Sequence, residues 1–110
     1  MAVMGVEQSR LVAFNIILYS GTARALVHEA IDLMKARDFE NADKKLAEAE
    51  EQLVMAHQSQ TELLQSFAGG TTIEIEIIMV HAQDHLMTTM TLKEIAVELE
   101  WIVKELPAKK

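Results

Sequence analysis

Two histidines and an aspartate lie close together in the segment His81-Ala82-Gln83-Asp84-His85, within a mainly apolar stretch of the chain. A neutral imidazole is a nucleophile near pH 7 and a good leaving group once protonated, so a histidine can accept a phosphoryl group and pass it on. Burying imidazoles and a carboxylate among Ile, Val, Leu and Met costs free energy unless they are hydrogen-bonded or coordinated. The segment therefore predicts a functional site.

Two hypotheses for this segment involve no covalent chemistry. The histidines could be satisfied core residues, or could line a subunit interface. His81, Asp84 and His85 could instead ligate zinc, because positions i, i+3 and i+4 share one face of a helix. Further ligands would then have to come from elsewhere, and the other two histidines, His28 and His57, belong to separate predicted helices.

The third hypothesis is covalent catalysis by His81. In this interpretation the helix holds the imidazole in place, and a polar neighbour such as Gln83 or His85 binds the phosphoryl oxygens. The spacing of the residues does not separate this hypothesis from metal binding.

The composition of the chain indicates that helices carry this segment. Its 110 residues are 50% hydrophobic but only 5% aromatic, which favours helix packing over a sandwich of aromatic strands. The chain has one proline, Pro107, and four glycines, so long stretches run without helix breakers. By length, residues 1–110 are expected to form a single domain.

Apolar periodicity predicts the first two helices. The first runs from about Val6 to Ala36 and carries two neighbouring stripes of mainly apolar residues. The second runs from about Phe39 to Phe67, after Asp38 as N-cap. Its unbroken core seam is predicted to consist of Phe39, Ala42, Leu46, Ala49, Leu53, Ala56, Gln60, Leu63 and Phe67. Ala68-Gly69-Gly70 ends it, since glycine adopts the left-handed cap conformation without strain.

A third helix is predicted to start near Ile73 and to stop at Pro107. The alternation of residues 73–77 is typical of a strand, but a lone strand would lack a partner, and Thr71 with Glu74 fits a capping box. One heptad seam on this helix is expected to face the core: Ile78, His81, His85, Thr88, Leu92, Ile95, Leu99, Ile102 and Leu106.

Short connections between three long helices predict an all-α, antiparallel three-helix bundle. Two stripes would remain uncovered. They are the second stripe of the first helix (Ala13, Ile17, Ser20, Arg24, Val27, Ile31, Met34) and a third-helix stripe (Ile77, Val80, Asp84, Met87, Thr91). Another copy of the chain is the simplest cover for them, so we expect a homo-oligomer.

The charge balance excludes several classes of partner. The formal net charge is −7, and basic residues are consecutive only in the pairs Lys44-Lys45 and Lys109-Lys110, so neither nucleic acid nor an anionic membrane surface is an expected partner. The chain has no cysteine and therefore no disulfide or thiolate site. We see no secretory signal and no uninterrupted apolar stretch of about 18 residues. A cytoplasmic protein is the expectation.

The run from Val80 to Thr88, VHAQDHLMT, closely resembles the signature of the enzyme IIA components of the lactose/cellobiose class in the bacterial sugar phosphotransferase system. Three further segments carry the resemblance: Ala56-His57 with Gln60-Thr61-Glu62-Leu63 resembles the family's second helix, Gly69-Gly70 its glycine-containing loop, and Ala30-Ile31 with Asp38-Phe39 its first helical turn region. The segment from Tyr19 to Arg24 departs from the usual family pattern near Thr22.

The resemblance implies a homotrimer and assigns roles to the residues of the segment. His81 would take a phosphoryl group from the phosphohistidine of the carrier protein HPr. It would pass that group to a cysteine of the cognate enzyme IIB, for uptake of a disaccharide. Gln83 and His85 are candidate helpers.

The resemblance also implies that Asp84 meets its two symmetry mates on the threefold axis, where together they bind one Mg²⁺. Three close carboxylates repel one another and need protons or a cation, and carboxylate oxygens suit a hard ion. The alternative function is a metal-binding helical oligomer without transfer activity. The sugar and the roles of His28 and His57 remain open.

Overall fold

The computed structural model describes residues 2–108, and three long helices account for most of them. In chain order the elements are β1 (Val3–Met4), α1 (Val6–Lys35), α2 (Phe39–Ala68), β2 (Thr72–Ile73) and α3 (Ile77–Glu105). The helices run up, down and up in a rod of 65 × 20 × 19 Å. The predicted antiparallel three-helix bundle is confirmed.

A tight connection joins α1 to α2. Asp38 accepts a hydrogen bond from the backbone N–H of Asn41 at 3.3 Å, which confirms Asp38 as the N-cap. Arg37 adopts a left-handed backbone conformation, with φ of 59°. Its guanidinium donates hydrogen bonds to the carbonyl oxygens of Val103 and Leu106, at 3.1 and 3.2 Å. The turn therefore also caps the C-terminal end of α3, where carbonyl groups lack helical partners.

The predicted start of α3 near Ile73 is wrong, because α3 begins at Ile77. The segment Thr72–Ile73 is instead a short strand that pairs in parallel with Val3–Met4 near the N-terminus. The sequence-based objection to a strand was that it would have no partner. The residues before α1 supply that partner, so the alternating pattern did indicate a strand.

Glu76 precedes α3 in an extended conformation, with φ of −108° and ψ of 169°. Thr71 and Glu74 lie before it, so the predicted capping box does not start the helix. The Glu76 carboxylate forms a two-pronged ion pair with the guanidinium of Arg10 on α1, with one N···O distance of 2.9 Å. This pair ties the start of α3 to the start of α1.

The apolar core lies around α1, which packs along both other helices, whereas α2 and α3 touch each other little. Both stripes of α1 contribute buried residues: Ala13, Ile16, Ser20, Ala23, Val27, Ala30 and Met34. The prediction that the second α1 stripe needs a further copy to cover it is therefore wrong for most of its length. A helix with neighbours on two sides buries two stripes.

The predicted core seam of α2 is confirmed almost throughout. Its buried members are Ala42, Leu46, Ala49, Leu53, Ala56 and Leu63, while Phe67 at the end of the helix is exposed. The helix stops at Ala68, and Gly70, with φ of 98°, takes the predicted left-handed conformation.

The predicted core seam of α3 is wrong. The side that α3 buries against the bundle consists of Met79, Ala82, Leu86, Thr89, Ala96 and Glu100. Most of the predicted seam lies exposed beside it, including His81, Thr88, Ile95, Leu99 and Ile102. The periodicity located the helix, but two adjacent apolar stripes left the inward side undetermined. The stripe from Ile77 to Thr91 is exposed in the single chain, as predicted.

Among residues 2–108, α1 alone is long and apolar enough to cross a membrane by length and composition. A single helix of this kind is weak evidence for a membrane span. The same properties are expected of a helix at the centre of a bundle. Its contacts with both α2 and α3 fit that second interpretation.

Candidate functional site

His81 and His85 lie one helical turn apart on α3 and form a stacked pair. Their ring centroids are 6.0 Å apart, and the two rings are inclined by only 9°. His81 is exposed, whereas His85 is half-buried. An accessible imidazole thus lies beside a second one that the bundle holds in place, on a helix whose backbone is rigidly hydrogen-bonded.

The surroundings of His85 come from α1. Nε2 of His85 lies 3.6 Å from the position that a Cβ atom would occupy on Gly21. Burial lowers the pKa of the His85 imidazole, and the charges of Arg24 and His81 lower it further, while Asp84 opposes the shift. His85 is therefore held in its neutral form more firmly than a free histidine would be.

Gln83 points to a different side of α3 from His81. Its side-chain oxygen accepts a hydrogen bond from the amide of Gln60 on α2. Its own amide lies 3.5 Å from the sulfur of Met79. The structure thus brings Gln83 together with α2, and not with the imidazole of His81 in the same chain.

Asp84 is exposed on α3, between the exposed apolar side chains of Val80 and Met87. Its backbone carbonyl accepts a hydrogen bond of 2.8 Å from the hydroxyl of Thr88. A carboxylate at this position is the kind of ligand that Mg²⁺ prefers. One chain supplies only one such group here, so a cation held by Asp84 needs equivalent groups from other copies.

The zinc hypothesis for His81, Asp84 and His85 finds no support. Within residues 2–108 no group of three or more His, Asp or Glu side chains is arranged to hold a metal ion. His28 and His57 are exposed on α1 and α2 and lie outside this site. His57 lines an open groove of about 540 Å³ between α2 and α3.

Gly21 and Arg24 are the two residues of the site's surroundings that the sequence analysis did not single out. Both lie in the segment from Tyr19 to Arg24 that departs from the usual family pattern near Thr22, and Arg24 is a polar member of an otherwise mainly apolar stripe, but neither was assigned a role in the site. The signal available was the interruption of that stripe by Ser20 and Arg24 in mid-helix. Which part of α3 they would meet depends on the register between two helices, which periodicity does not give.

The chain is similar to known proteins over nearly its whole length. Residues 11–104 match the family described as PTS system, Lactose/Cellobiose specific IIA subunit. The lichenan-specific phosphotransferase enzyme IIA component of Bacillus subtilis is 48% identical over 93 residues, which cover 84% of each chain.

Two crystal structures are also similar to this fold. PtcA from S. mutans has a TM-score of 0.91 and 56% identity, covering 93% of this chain and 100% of the other. The cellobiose-specific enzyme IIA from Bacillus anthracis has a TM-score of 0.87 and 40% identity, covering 97% and 96% of the two chains.

The chain therefore belongs to the lactose/cellobiose-specific enzyme IIA family of the sugar phosphotransferase system. Members of this family are phosphocarriers, and this protein is a phosphotransferase component of that class. The comparisons give no support to the alternative of a metal-binding oligomer without transfer activity.

Proposed function

We propose that His81 is the residue that carries the phosphoryl group. The observation that supports this is the pairing of an exposed imidazole with a stacked, half-buried one at 6.0 Å. His81 is open to a partner protein, while His85 has one edge against Gly21. Of the two rings, His81 is therefore the one that a phosphoryl donor reaches.

The transfer is a displacement at phosphorus. A neutral ring nitrogen of His81 attacks the phosphorus atom while the bond between phosphorus and the donor histidine breaks. The donor leaves as an imidazole that carries a proton. In the next step the role of His81 is reversed. A cysteine thiolate attacks the phosphorus atom, and the His81 imidazole is the leaving group. A single imidazole serves both steps because it is both a nucleophile and a leaving group near neutral pH.

The partners we propose are phosphorylated HPr as donor and the cysteine of an enzyme IIB as acceptor, in the cytoplasm. Similar proteins are named for lichenan, cellobiose, lactose and galactose, so we propose that the chain serves the uptake of a disaccharide of the lactose/cellobiose class. The choice of sugar lies with the membrane component, so this chain's part is delivery of the phosphoryl group.

We also propose that three copies assemble around Asp84 and that the three carboxylates hold one Mg²⁺. The exposed apolar side chains on the same stripe, Ile77, Val80 and Met87, support burial of this face between copies. The bound ion would neutralise the mutual repulsion of the carboxylates. It takes no part in the transfer, which occurs at His81.

The two helper residues have different roles in this proposal. His85 supports His81 directly, through the stacked rings. Gln83 supports it indirectly, because its hydrogen bond to Gln60 fixes α3 against α2. Neither side chain forms a covalent bond to phosphorus.

Labelling from phosphorylated HPr tests the assignment of His81. The acid-labile phosphate formed on the wild-type protein is compared with that on His81→Gln and on His57→Gln, a matched exposed histidine on α2. We expect labelling to vanish in His81→Gln and to persist in His57→Gln. Normal labelling of His81→Gln would overturn the assignment.

A further inference from the structure

Arg24 stands apart from the other basic residues that the structure describes. Within residues 2–108, ion pairs to carboxylates engage Arg10, Lys35, Lys44, Lys45, Lys93 and Lys104. Arg37 donates to backbone carbonyl groups. Arg24 alone in this range has neither kind of partner, and its side chain is exposed. An unpaired guanidinium in a chain of net charge −7 is available for an anion.

The position of Arg24 follows from the register between α1 and α3. One stripe of α1 runs along α3: Arg10 pairs with Glu76, and Gly21 lies against His85. Arg24 follows Gly21 by three residues, so it belongs to the same stripe. Helical side chains lean toward the N-terminus of their helix, and Arg24 therefore leans back over Gly21, toward His85.

The three groups thus form a row across the surface between α1 and α3. His81 stacks on His85 at 6.0 Å, His85 lies 3.6 Å from the Cβ position of Gly21, and Arg24 is one helical turn beyond Gly21. The carboxylate of Asp84, which is adjacent to His85 in the chain, has the sign that repels a phosphoryl group. Arg10 on the same stripe is engaged by Glu76, so among residues 2–108 Arg24 is the cation of this stripe that is left to balance an added anion.

Phosphorylation of His81 places a group of nearly two negative charges on an already negative protein. A guanidinium matches the geometry of phosphoryl oxygens, because it offers paired donors in one plane. We propose that Arg24 binds the phosphoryl oxygens during transfer to and from His81. It forms hydrogen bonds only, while the bond to nitrogen forms and breaks at His81. This inference rests on the proposed role of His81.

Rapid-mixing kinetics with phosphorylated HPr test this role. The variants are Arg24→Gln, Arg24→Lys and, as a control for the loss of one exposed positive charge, Lys44→Gln. We expect Arg24→Gln to lower the transfer rate at saturating donor by about 10- to 100-fold, the range for loss of a hydrogen bond to a charged group. Arg24→Lys keeps the charge and should restore part of the rate, while Lys44→Gln should match the wild-type protein.

A second readout separates binding of the phosphoryl group from a structural effect. In ³¹P NMR the phosphohistidine signal of Arg24→Gln should shift from its wild-type position, and the thermal midpoint should stay unchanged because Arg24 is exposed. The inference would be overturned if Arg24→Gln left both the transfer rate at saturating donor and the ³¹P shift unchanged. It would also be overturned if the only change were in the donor concentration needed for half saturation. If labelling proves independent of His81, the proposed function itself fails, and the His81→Gln experiment detects that separately.

Discussion

The imidazole of His85 lies against the backbone of Gly21, so that a Cβ atom at position 21 would stand 3.6 Å from Nε2. That distance is an ordinary van der Waals contact, and a single methyl group therefore fits. A longer side chain needs the space that the ring occupies. Because His81 stacks on His85, a side chain at position 21 of α1 that displaces His85 also affects the His81 ring, to which we assign phosphoryl transfer.

Substitutions at Gly21 should have opposite effects on stability according to their size. Gly21→Ala should raise the free energy of unfolding by roughly 0.5–1 kcal/mol, because alanine is the better residue in a helix interior and its methyl group meets no clash. Gly21→Leu should lower it, since the leucine side chain displaces His85 from α1. Urea unfolding of the three proteins measures both effects. A less stable Gly21→Ala would show that the contact is tighter than described.

The ion pair between Arg10 and Glu76 should make stability depend on pH in the acid range. The hydrogen bond from Arg10 holds the pKa of Glu76 below its usual value. The contribution of the pair is therefore complete above the unfolded-state pKa, and it is lost as the pH falls through the lower folded-state value. As the pH is lowered from about 5 to about 3, the thermal midpoint of the wild-type protein should therefore decrease, and that of Glu76→Gln should decrease less steeply.

Glu62→Gln is the matched control for this prediction, because Glu62 is exposed and forms no ion pair within residues 2–108. It should keep the wild-type slope of thermal midpoint against pH. Equal slopes for wild-type protein and Glu76→Gln would mean that the ion pair does not persist in solution.

The hydrogen bond between Gln60 and Gln83 should appear as a coupling between α2 and α3. Both side chains are partly buried, so we expect the two alanine substitutions to interact by about 0.5–1.5 kcal/mol in a double-mutant cycle of unfolding free energies. Additive effects of Gln60→Ala and Gln83→Ala would indicate that Gln83 does not hold the two helices together.

Asp84→Leu should give a trimer that no longer responds to metal. An apolar residue removes the repulsion between three carboxylates and leaves the surrounding apolar contacts in place. Sedimentation with and without EDTA measures this. We expect EDTA to weaken trimer assembly of the wild-type protein and of the Asp43→Leu control to the same extent. Asp84→Leu should stay trimeric in EDTA. An unfolded or monomeric Asp84→Leu would contradict the proposed axis.

The sequence was sufficient to predict that three long helices form and which side of α2 faces the core, because α2 has one apolar seam flanked by charged residues. It was insufficient for α3, which has apolar residues on adjacent stripes, so periodicity alone favoured the wrong one. The buried stripe depends on small residues such as Ala82 and Ala96, which let helices approach closely but give a weak hydrophobic signal. The strand Thr72–Ile73 was missed because its partner lies nearly 70 residues away in the chain.

For the candidate site, the sequence supplied the residues that share one helix and missed those that another helix contributes. The segment from His81 to His85 stood out because polar groups interrupt apolar residues. Gly21 and Arg24 meet that segment only through the register of α1 against α3. Gln83 could not be separated from the site by sequence proximity, since its contact with Gln60 is also a tertiary one.

Localisation of the phosphoryl group on the intact protein tests the central claim most directly. After incubation with phosphorylated HPr, the protein is digested at neutral to alkaline pH and the phosphorylated peptide is fragmented in a mass spectrometer. Fragmentation distinguishes His81 from His85, which lie four residues apart. We predict that the phosphoryl group is found on His81. Its presence on His85, His57 or His28 with none on His81 would contradict the account.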